Sequence, residues 1–459
     1  MHTYILRRLL LMIPTLLGIT VVVFAVMAAA PGGISAQSLV EGQNLEPAVK
    51  KAMEEYYNRR YGLDQPAPVQ YLRWLNNISP VGFSLDEKNE IEGFGFKGSD
   101  LGTSFLYGRG VGELLSERVP ITILLNLLSI PIIYLVSIVI GVYAATHRGK
   151  LFDTGTGITM MALWSVPTML AGVLLIGFFA SEQYWHWFPT AGLSERAATD
   201  MPFLPHWSDW LDILLMFALM GIAVVAFSQL SLRLQTRART ILMAALGAAL
   251  GLWMAGSIAA GSSVGGGLFM VVVMAGIGAA TGYTDFSGLR TTLMGATGLV
   301  LALVLAFALM QGEFVRGYLF DRIWHLVLPI LCFTYGGFAF LAKLTRTSVL
   351  ENLQADYART ARAKGVSEQD VLWQHVFRNS LIPLITVSAS LLPSLLAGSV
   401  IVESIFSIDG MGKLAVEAVQ GRDREMVLSI TLISGLLTLV SYIVADVLYA
   451  LVDPRVSYE

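Results

Sequence analysis

The sequence predicts an all-α protein that crosses a lipid bilayer many times, and its composition is the first reason. Hydrophobic types make up 55% of the 459 residues, charged types make up only 14%, and the mean hydropathy is +0.65. A soluble protein carries about 25% charged residues, so this chain has too little charge to cover soluble cores. The composition also excludes disorder, nucleic-acid binding and, because Cys332 is the single cysteine, a disulfide scaffold.

The second reason is a series of long stretches without Asp, Glu, Lys or Arg. A membrane-spanning helix needs about 20 mostly apolar residues. The stretch from Thr240 is long enough for two spans, which the glycine-rich run Gly261–Gly267 separates, so the sequence predicts ten spans. The stretches are Leu9–Val40, Val119–His147, Thr154–Ser181, Ile213–Leu232, Thr240–Thr284, Thr291–Gly312, Ile323–Ala342, Asn379–Val402 and Val427–Ala445.

The distribution of basic residues orients these spans, because short cytoplasmic loops are rich in Lys and Arg. With ten spans, the basic clusters all fall on one side of the membrane, and both termini are expected in the cytoplasm. The clusters are Arg7–Arg8, His147–Lys150, Arg233–Arg239, Lys343–Arg378 and Arg455.

The N-terminus also allows a second interpretation, a cleaved signal peptide. Arg7 and Arg8, an apolar run and then Ala28-Ala29-Ala30 stand in the required order. The apolar run exceeds the usual length of about 7–15 residues, which favours a retained span. N-terminal sequencing of the mature protein would distinguish the two.

The segment between the first two spans is expected to form a domain outside the membrane. It contains a predicted helix, Pro47–Tyr61, and a short amphipathic stretch, Val69–Leu75. The glycine-rich section Gly93–Gly112 indicates loops and turns. The aromatic residues of this segment have two interpretations, contact with a protein partner or anchoring at the membrane interface.

The block Ser194–Arg322 is rich in Gly, Ala and Met. Two glycine pairs, Gly247 with Gly251 and Gly278 with Gly282, have the spacing that lets helices approach closely in lipid. Since no group of chemically active side chains accompanies them, close helix packing is their predicted role.

A basic stretch between two spans predicts a helix, a tight turn and a second helix. Glu351–Lys364 is a good helix former, and Gly365 stands where a left-handed cap would end the helix. Ser367 followed by Asp370 predicts a capping box that opens the second helix.

Two faces are expected on the first of these helices. Ala358, Ala361 and Gly365 form a face of small residues, and Arg359 and Arg362 stand on another face. Such a compact basic projection suits docking into a groove of a soluble partner. The alternative is a solvated charged loop that only enforces topology; a DNA-binding motif is disfavoured because the membrane holds both ends.

The stretch Ala355–Pro383, ADYARTARAKGVSEQDVLWQHVFRNSLIP, resembles the cytoplasmic signature of permease subunits of bacterial ABC importers of the dipeptide, oligopeptide and nickel class. The acidic residue of the general importer signature is absent, but Arg359-Thr360-Ala361 and Gly365 match its first triplet and its glycine. Further blocks agree with the family in order: Tyr4–Gly32, Tyr61–Tyr71, Asp100–Gly102, Glu117–Thr122, Asp409–Leu414 and Asp453–Arg455.

The resemblance implies a type I importer core of six spans, into which this chain inserts about four more. Because four is an even number, the topology after the insert is preserved, and the family gives the extra spans no role. The implied division is a first transmembrane helix (1–31), an outer segment (32–118), spans two and three (119–193), the insert (194–322), and spans four to six (323–459) with an ATPase-coupling loop (346–378).

The resemblance also implies partners and a mechanism. Such a permease pairs with a homologous permease in the bacterial inner membrane, two ABC ATPase subunits bind the cytoplasmic loops, and an external solute-binding protein delivers peptides or similar solutes. The partner subunits bind ATP, so this chain is expected to hold no cofactor, metal or catalytic residue. The implied ATPase-coupling residues are Tyr357, Ala358, Arg359, Thr360, Ala361, Arg362, Ala363, Lys364 and Gly365.

Rival functions need features that the sequence lacks. An ion-coupled secondary transporter, the main alternative, usually places paired ionisable groups near the middle of the membrane, and the core spans carry almost none. A membrane enzyme would need a group of acid–base or metal-binding side chains. Asp446 lies near the cytoplasmic end of the last span, where snorkelling or helix capping is expected.

Two other patterns are not expected to bind ligands. The run Gly410–Lys413 is similar to a phosphate-binding loop, but Ser407 and Leu414 occupy positions where the motif needs Gly and Ser or Thr. No metal site is expected at His325 and His375, which lack ligand partners at suitable spacing, or at His186 and His206, which lie among tryptophans in a predicted outer loop.

Overall fold

A computed structural model describes residues 2–30, 46–61, 63–85, 91–205, 210–257, 264–284, 287–309 and 315–452. The chain forms two compact units. The first unit comprises Met1–Trp164, Phe333–Ser404 and Asp409–Glu459, and the second comprises Ser165–Cys332 and Ile405–Ile408.

The described residues are mostly α-helical. In chain order the helices are α1 (His2–Ala29), α2 (Pro47–Tyr61), α3 (Ala67–Ile78), α4 (Val111–Thr146), α5 (Leu151–Ser165), α6 (Thr168–Leu175), α7 (Trp210–Arg233), α8 (Thr236–Ser257), α9 (Val264–Tyr283), α10 (Ser287–Leu309), α11 (Gly317–Gln354), α12 (Asp356–Ala363), α13 (Arg378–Ile405), α14 (Met411–Gln420) and α15 (Arg424–Val452). Strands β1 (Val81–Leu85) and β2 (Ile91–Phe96) form an antiparallel hairpin.

The all-α polytopic fold is confirmed. Among the described residues, eight helices are long and apolar enough to cross a membrane, and a ninth span results if the bent pair α5–α6 is one span. The pair bends by 98° at Pro167, whose extended backbone interrupts the helix. The remaining predicted span, Asn379–Val402, lies within α13. The total of ten, and the division into six and four, stay predictions.

The first charge-free stretch runs to Val40, whereas α1 ends at Ala29, near residue 31 where the first transmembrane helix was predicted to end. Residues 31–45 lie outside the described ranges. The run Gly261–Gly267 was predicted to break the stretch from Thr240 into two spans. Helix α9 begins at Val264, so Gly265–Gly267 of this run form its first turn.

The segment between α1 and α4 contains the two predicted helical stretches and, in addition, two strands that the sequence did not predict. Helix α2 has the predicted bounds, and α3 contains the predicted amphipathic stretch. The expectation of loops over Gly93–Gly112 is wrong at its start, because Gly93 and Gly95 lie in β2. The side chain of Asn76 in α3 pairs with the backbone N–H and C=O of Phe83 at 2.9 Å each and holds β1 against the helix.

Buried apolar residues hold together the first turns of α4, α14 and α15 in the first unit. They are Val111, Leu114, Met411, Leu414 and Met426, each at most 3% exposed.

Elsewhere in the first unit, Arg8 of α1 forms an ion pair of 3.1 Å with Asp446 of α15. Asp446 therefore has a partner within the chain, which the sequence did not predict.

In the second unit, α8 and α9 approach closely at the glycines that the sequence singled out. A Cβ atom built on Gly251 would lie 2.7 Å from Val271 Cα, and one built on Gly282 would lie 2.7 Å from Thr240 Cα. Equivalent atoms on Gly247 and Gly278 would overlap backbone carbonyl groups of the facing helix. The predicted role in helix packing is confirmed.

Replacing Gly278 by leucine is expected to separate α8 from α9, because the added atoms would meet the backbone of the facing helix. The matched control is Gly276→Leu, since a Cβ there meets no atom within 4 Å. The midpoint of thermal unfolding of the purified chain in detergent should fall by several degrees for the first variant and stay unchanged for the second. Equal midpoints for the two variants would contradict the packing role.

The two chain segments that flank the insert lie side by side. Tyr318 and Leu319 donate backbone hydrogen bonds of 2.9 and 3.0 Å to the carbonyl oxygens of Pro202 and Phe203. The fully buried Asp321 accepts the backbone N–H of Glu195 at 2.9 Å. The residues between these flanks therefore leave and rejoin the rest of the chain at one place.

Candidate partner-docking site

Helix α11 extends well beyond its predicted span. It has 38 residues, which corresponds to about 57 Å at about 1.5 Å per residue, whereas a hydrocarbon core is about 30 Å thick. The predicted span ends at Ala342, yet the helix continues to Gln354. Its last three turns therefore project beyond the span and carry the basic stretch at their end.

This stretch, residues Ala355–Phe377, is called the basic hairpin below. Helix α12 ends at Ala363, and Gly365 follows its cap residue in the left-handed conformation, with φ of +79°, as predicted. Ser367 accepts the backbone N–H of Asp370 at 3.2 Å and opens a helical turn, which confirms the N-cap of the predicted capping box. The Asp370 carboxylate accepts the Ser367 hydroxyl at 2.6 Å, in place of the backbone N–H that a full capping box uses. The turn continues as a π-helix, Val371–Phe377, directly into α13. The first helix was expected to run unbroken from Glu351, but α11 ends before Ala355, whose extended backbone (ψ of 152°) redirects the chain.

The predicted face of small residues is not a single surface. Ala358 and Ala361 are buried, at 0% and 7% exposure, in a helix that packs against the π-helix with its buried Val371 and Val376. Gly365 is exposed, because the helix ends before it and the chain leaves the helical path. The alanines therefore hold the hairpin together.

Hydrogen bonds tie the hairpin to the two long helices that carry it. Asn352 of α11 donates to the hydroxyl of Ser380 of α13 at 3.1 Å, and the hydroxyl of Tyr357 donates to the amide oxygen of Asn352. Arg362 donates to the carbonyl oxygen of Leu353 at 3.2 Å and pairs with Glu368 at 3.0 Å. The hairpin is therefore bonded to the end of α11, which is itself bonded to the start of α13.

The exposed surface of the hairpin carries both signs of charge, with Asp356, Glu368 and Asp370 beside Arg359 and Lys364, and it is partly aromatic. Tyr357, Arg359, Thr360, Ala363, Lys364 and Gly365 of the predicted set are exposed. Arg359 reaches Asp356 only at 3.6 Å, and both side chains are largely in solvent, so this pair contributes little. Trp373, 45% exposed and packed edge-on against Phe377, was missed by the sequence interpretation. A tryptophan in an otherwise polar hairpin was the available signal.

Replacing Ala358 by leucine is expected to loosen the hairpin, because overpacking a buried site costs about 1–3 kcal/mol. The exposed Ala363 on the same helix gives the matched control, Ala363→Leu. Trypsin should cut the purified chain after the hairpin arginines about ten times faster in the first variant. Cleavage at the wild-type rate in Ala358→Leu would show that the buried alanines do not hold the hairpin.

The backbone of the glycine motif Gly410–Lys413 packs around a carboxylate of the same chain, that of Glu403. The buried Glu403 accepts the backbone N–H of Lys413 at 2.9 Å and the hydroxyl of Thr122 at 2.7 Å. Thr122 in turn accepts the backbone N–H of Met411 at 2.9 Å. A Cβ atom on Gly410 would overlap Glu403, so glycine is needed for this packing. The motif starts α14.

Among the residues that the structure describes, no group of three or more His, Cys, Asp and Glu side chains could hold a metal ion. The ring of His325 lies 2.8 Å from the carbonyl oxygen of Asp321, within its own helix. His206 lies outside the described ranges.

Two family models match the chain. The binding-protein-dependent transport system inner membrane component matches residues 286–458, and the model of the N-terminal part of such membrane components matches residues 1–126. The chain is 29% identical to the oligopeptide transport system permease protein AppB of Bacillus subtilis (strain 168) and 28% identical to the di/tripeptide transport system permease protein DppB of Pseudomonas aeruginosa (strain UCBPP-PA14). It is 25% identical to the inner membrane ABC transporter permease protein YejB of Escherichia coli O157:H7. Each of these matches covers 100% of both chains.

Proposed function

The chain belongs to the family of inner membrane components of binding-protein-dependent transport systems and is thus a permease subunit of an ATP-driven importer, and we propose that it transports peptides. Relatives named for oligopeptide and for di- and tripeptide transport support this substrate class. Family membership also decides against the ion-coupled secondary transporter that the sequence left as the alternative.

The proposed assembly contains this chain and a homologous permease in a bacterial inner membrane, with an external solute-binding protein on one side and two ABC ATPase subunits on the other. Both termini and the basic hairpin face the cytoplasm in this proposal, as the basic clusters indicate. ATP is bound and hydrolysed on the ATPase subunits, and this chain contributes neither a catalytic residue nor a cofactor site.

The observation that carries the coupling role is the attachment of the basic hairpin to two long helices. Because Asn352 and Ser380 join α11 to α13 beneath the hairpin, a displacement of the hairpin is transmitted to both helices. When ATP closes the ATPase dimer, displacement of the docked hairpin moves both helices and rocks the spans between inward-facing and outward-facing states.

The predicted coupling residues divide into two groups in this proposal. Tyr357, Arg359, Thr360, Ala363 and Lys364 face outward and contact the ATPase subunit. The remaining residues keep the contact surface in shape, the alanines by packing, Arg362 by bonding to Leu353 and Glu368, and the glycine by turning the chain; they are Ala358, Ala361, Arg362 and Gly365.

The test is uptake of a labelled peptide into vesicles that hold the permease pair with its binding protein. Uptake should require both ATP and the ATPase subunits, and a proton or sodium gradient should not replace them. Gradient-driven uptake without the ATPase subunits would overturn the coupling proposal. ATP-dependent uptake of a different solute, with peptides rejected, would overturn only the substrate class.

A further inference from the structure

A groove of about 330 Å³ lies between α4, α5 and α11, entirely within the first unit. Its body is apolar and is formed by Ile140 of α4, Ile158, Met160 and Met161 of α5, and Ala342 of α11. Ile158 and Met161 are also 67% and 58% exposed, so the apolar body continues onto the surface of α5. A volume near about 300 Å³ is within the range of small-molecule sites.

One end of the groove is polar and firmly built. Asp153, 6% exposed, receives two hydrogen bonds from the guanidinium group of Arg346, one of them at 2.8 Å, and the backbone N–H of Gly149 at 2.9 Å. The pair closes this end of the groove and fixes the loop that leads into α5. It is electrically neutral, so it neither attracts nor repels a charged ligand strongly.

The charges that remain around this end are positive. Lys343, one turn before Arg346 on α11, lines the groove and is exposed. Arg148 and Lys150 stand in the loop just before α5, and Arg148 is close enough to Asp153 to interact electrostatically. In the part of the chain that the structure describes, no carboxylate forms an ion pair with these three side chains. The groove thus joins an apolar body to an uncompensated cationic end.

We propose that this groove binds one anionic phospholipid, with an acyl chain along the apolar body and the phosphate at Lys343 and the loop cations. The groove lies where the apolar part of α5 meets its basic loop, and lipid headgroups are expected at such a boundary. Basic pockets between membrane helices bind acidic headgroups for this reason, since each nearby Lys or Arg adds to the attraction. A zwitterionic lipid fills the apolar body equally well but gains nothing from the cations.

Gly157 gives a way to fill the groove without disturbing the helices. It lines the groove, and a Cβ atom built on it meets no atom within 4 Å, so a side chain there enters the open space. Gly155 has equally free space on the same helix but does not line the groove. Gly157→Leu and Gly155→Leu are therefore a test variant and its matched control.

The experiment is native mass spectrometry of the full transporter complex, purified from a membrane and then offered phosphatidylglycerol and phosphatidylcholine in equal amounts. Wild type and Gly155→Leu should retain phosphatidylglycerol preferentially, and Gly157→Leu should lose at least about nine-tenths of it. Lys343→Ala should weaken retention about fivefold, as expected for one lysine near a headgroup. Lys51→Ala, on the exposed face of α2, should leave retention unchanged.

The proposal would be overturned by equal retention of the two lipids or by equal retention of phosphatidylglycerol in Gly157→Leu and Gly155→Leu. Displacement of the lipid by glycerol phosphate alone would overturn it as well. Chemical cross-links that join Lys343 only to a second polypeptide, with no lipid retained, would show that a protein covers the groove. Lipid retention does not require transport, so this result is independent of the uptake experiment.

Discussion

Replacing Gly365 by valine should reduce ATP-driven peptide uptake at least about tenfold while leaving membrane insertion intact. Gly365 has φ of +79°, a region that costs a β-branched residue about 2 kcal/mol. The turn would change its conformation, and the surface formed by α12 would no longer be presented as a rigid unit. Uptake into vesicles and co-purification of the ATPase subunits measure the effect.

Gly365→Asn is the control that separates two reasons for this glycine. Asparagine tolerates the left-handed conformation, and a Cβ atom at this position meets no atom of the chain within 4 Å. Near-normal uptake in the asparagine variant would show that backbone conformation is what matters. Equal loss in both variants would point to close approach of the ATPase subunit, and normal uptake with valine would contradict the docking assignment.

Deleting residues 206–314 and joining the ends by a short Gly-Ser linker should leave a core that folds and still binds the ATPase subunits. The two flanks are already held together by the backbone hydrogen bonds of Tyr318 to Pro202 and of Leu319 to Phe203. A short linker can therefore join the ends without moving either flank. A deletion that started earlier, at Ala198, would remove part of one flank. That residue is fully buried in the flank, and the deletion therefore starts later.

Removal of α10 alone is the matched control for this deletion. It leaves α7 without the helix it packs against and changes the number of spans by one, so misassembly is expected. Size-exclusion profiles and ATPase co-purification report the outcome for both variants. Complete loss of assembly in the 206–314 deletion would show that the four additional helices belong to the core.

The elements that sequence predicted well are those with a local physical cause. Helix α2 has the predicted bounds, and the cap at Gly365 follows from the conformational freedom of glycine. The β-hairpin was missed because Gly93 and Gly95 suggested turns, whereas their place in a strand depends on pairing with Ser84 and Gly82 of β1. Pairing between two strands leaves no signal in the local pattern of either strand.

The candidate site shows the same limit. The spacing of Ala358 and Ala361 identified a shared helix face but could not tell whether that face was covered; in the structure both alanines are buried, and their helix packs against the π-helix. The exposed Trp373 was overlooked because its accessibility depends on that packing. The exposure of Arg359 and Lys364 could be predicted from the sequence, because charged side chains are rarely buried without a partner.

The ion pair between Asp153 and Arg346 gives the chain a mechanical linkage. Arg346 stands on α11 between the span and the hairpin, and Asp153 stands at the start of α5. A rotation of α11 about its own axis would have to carry α5 with it or break two hydrogen bonds. We therefore expect a displacement of the hairpin to be transmitted through this ion pair to a second helix of the first unit, so that α5 responds together with α11.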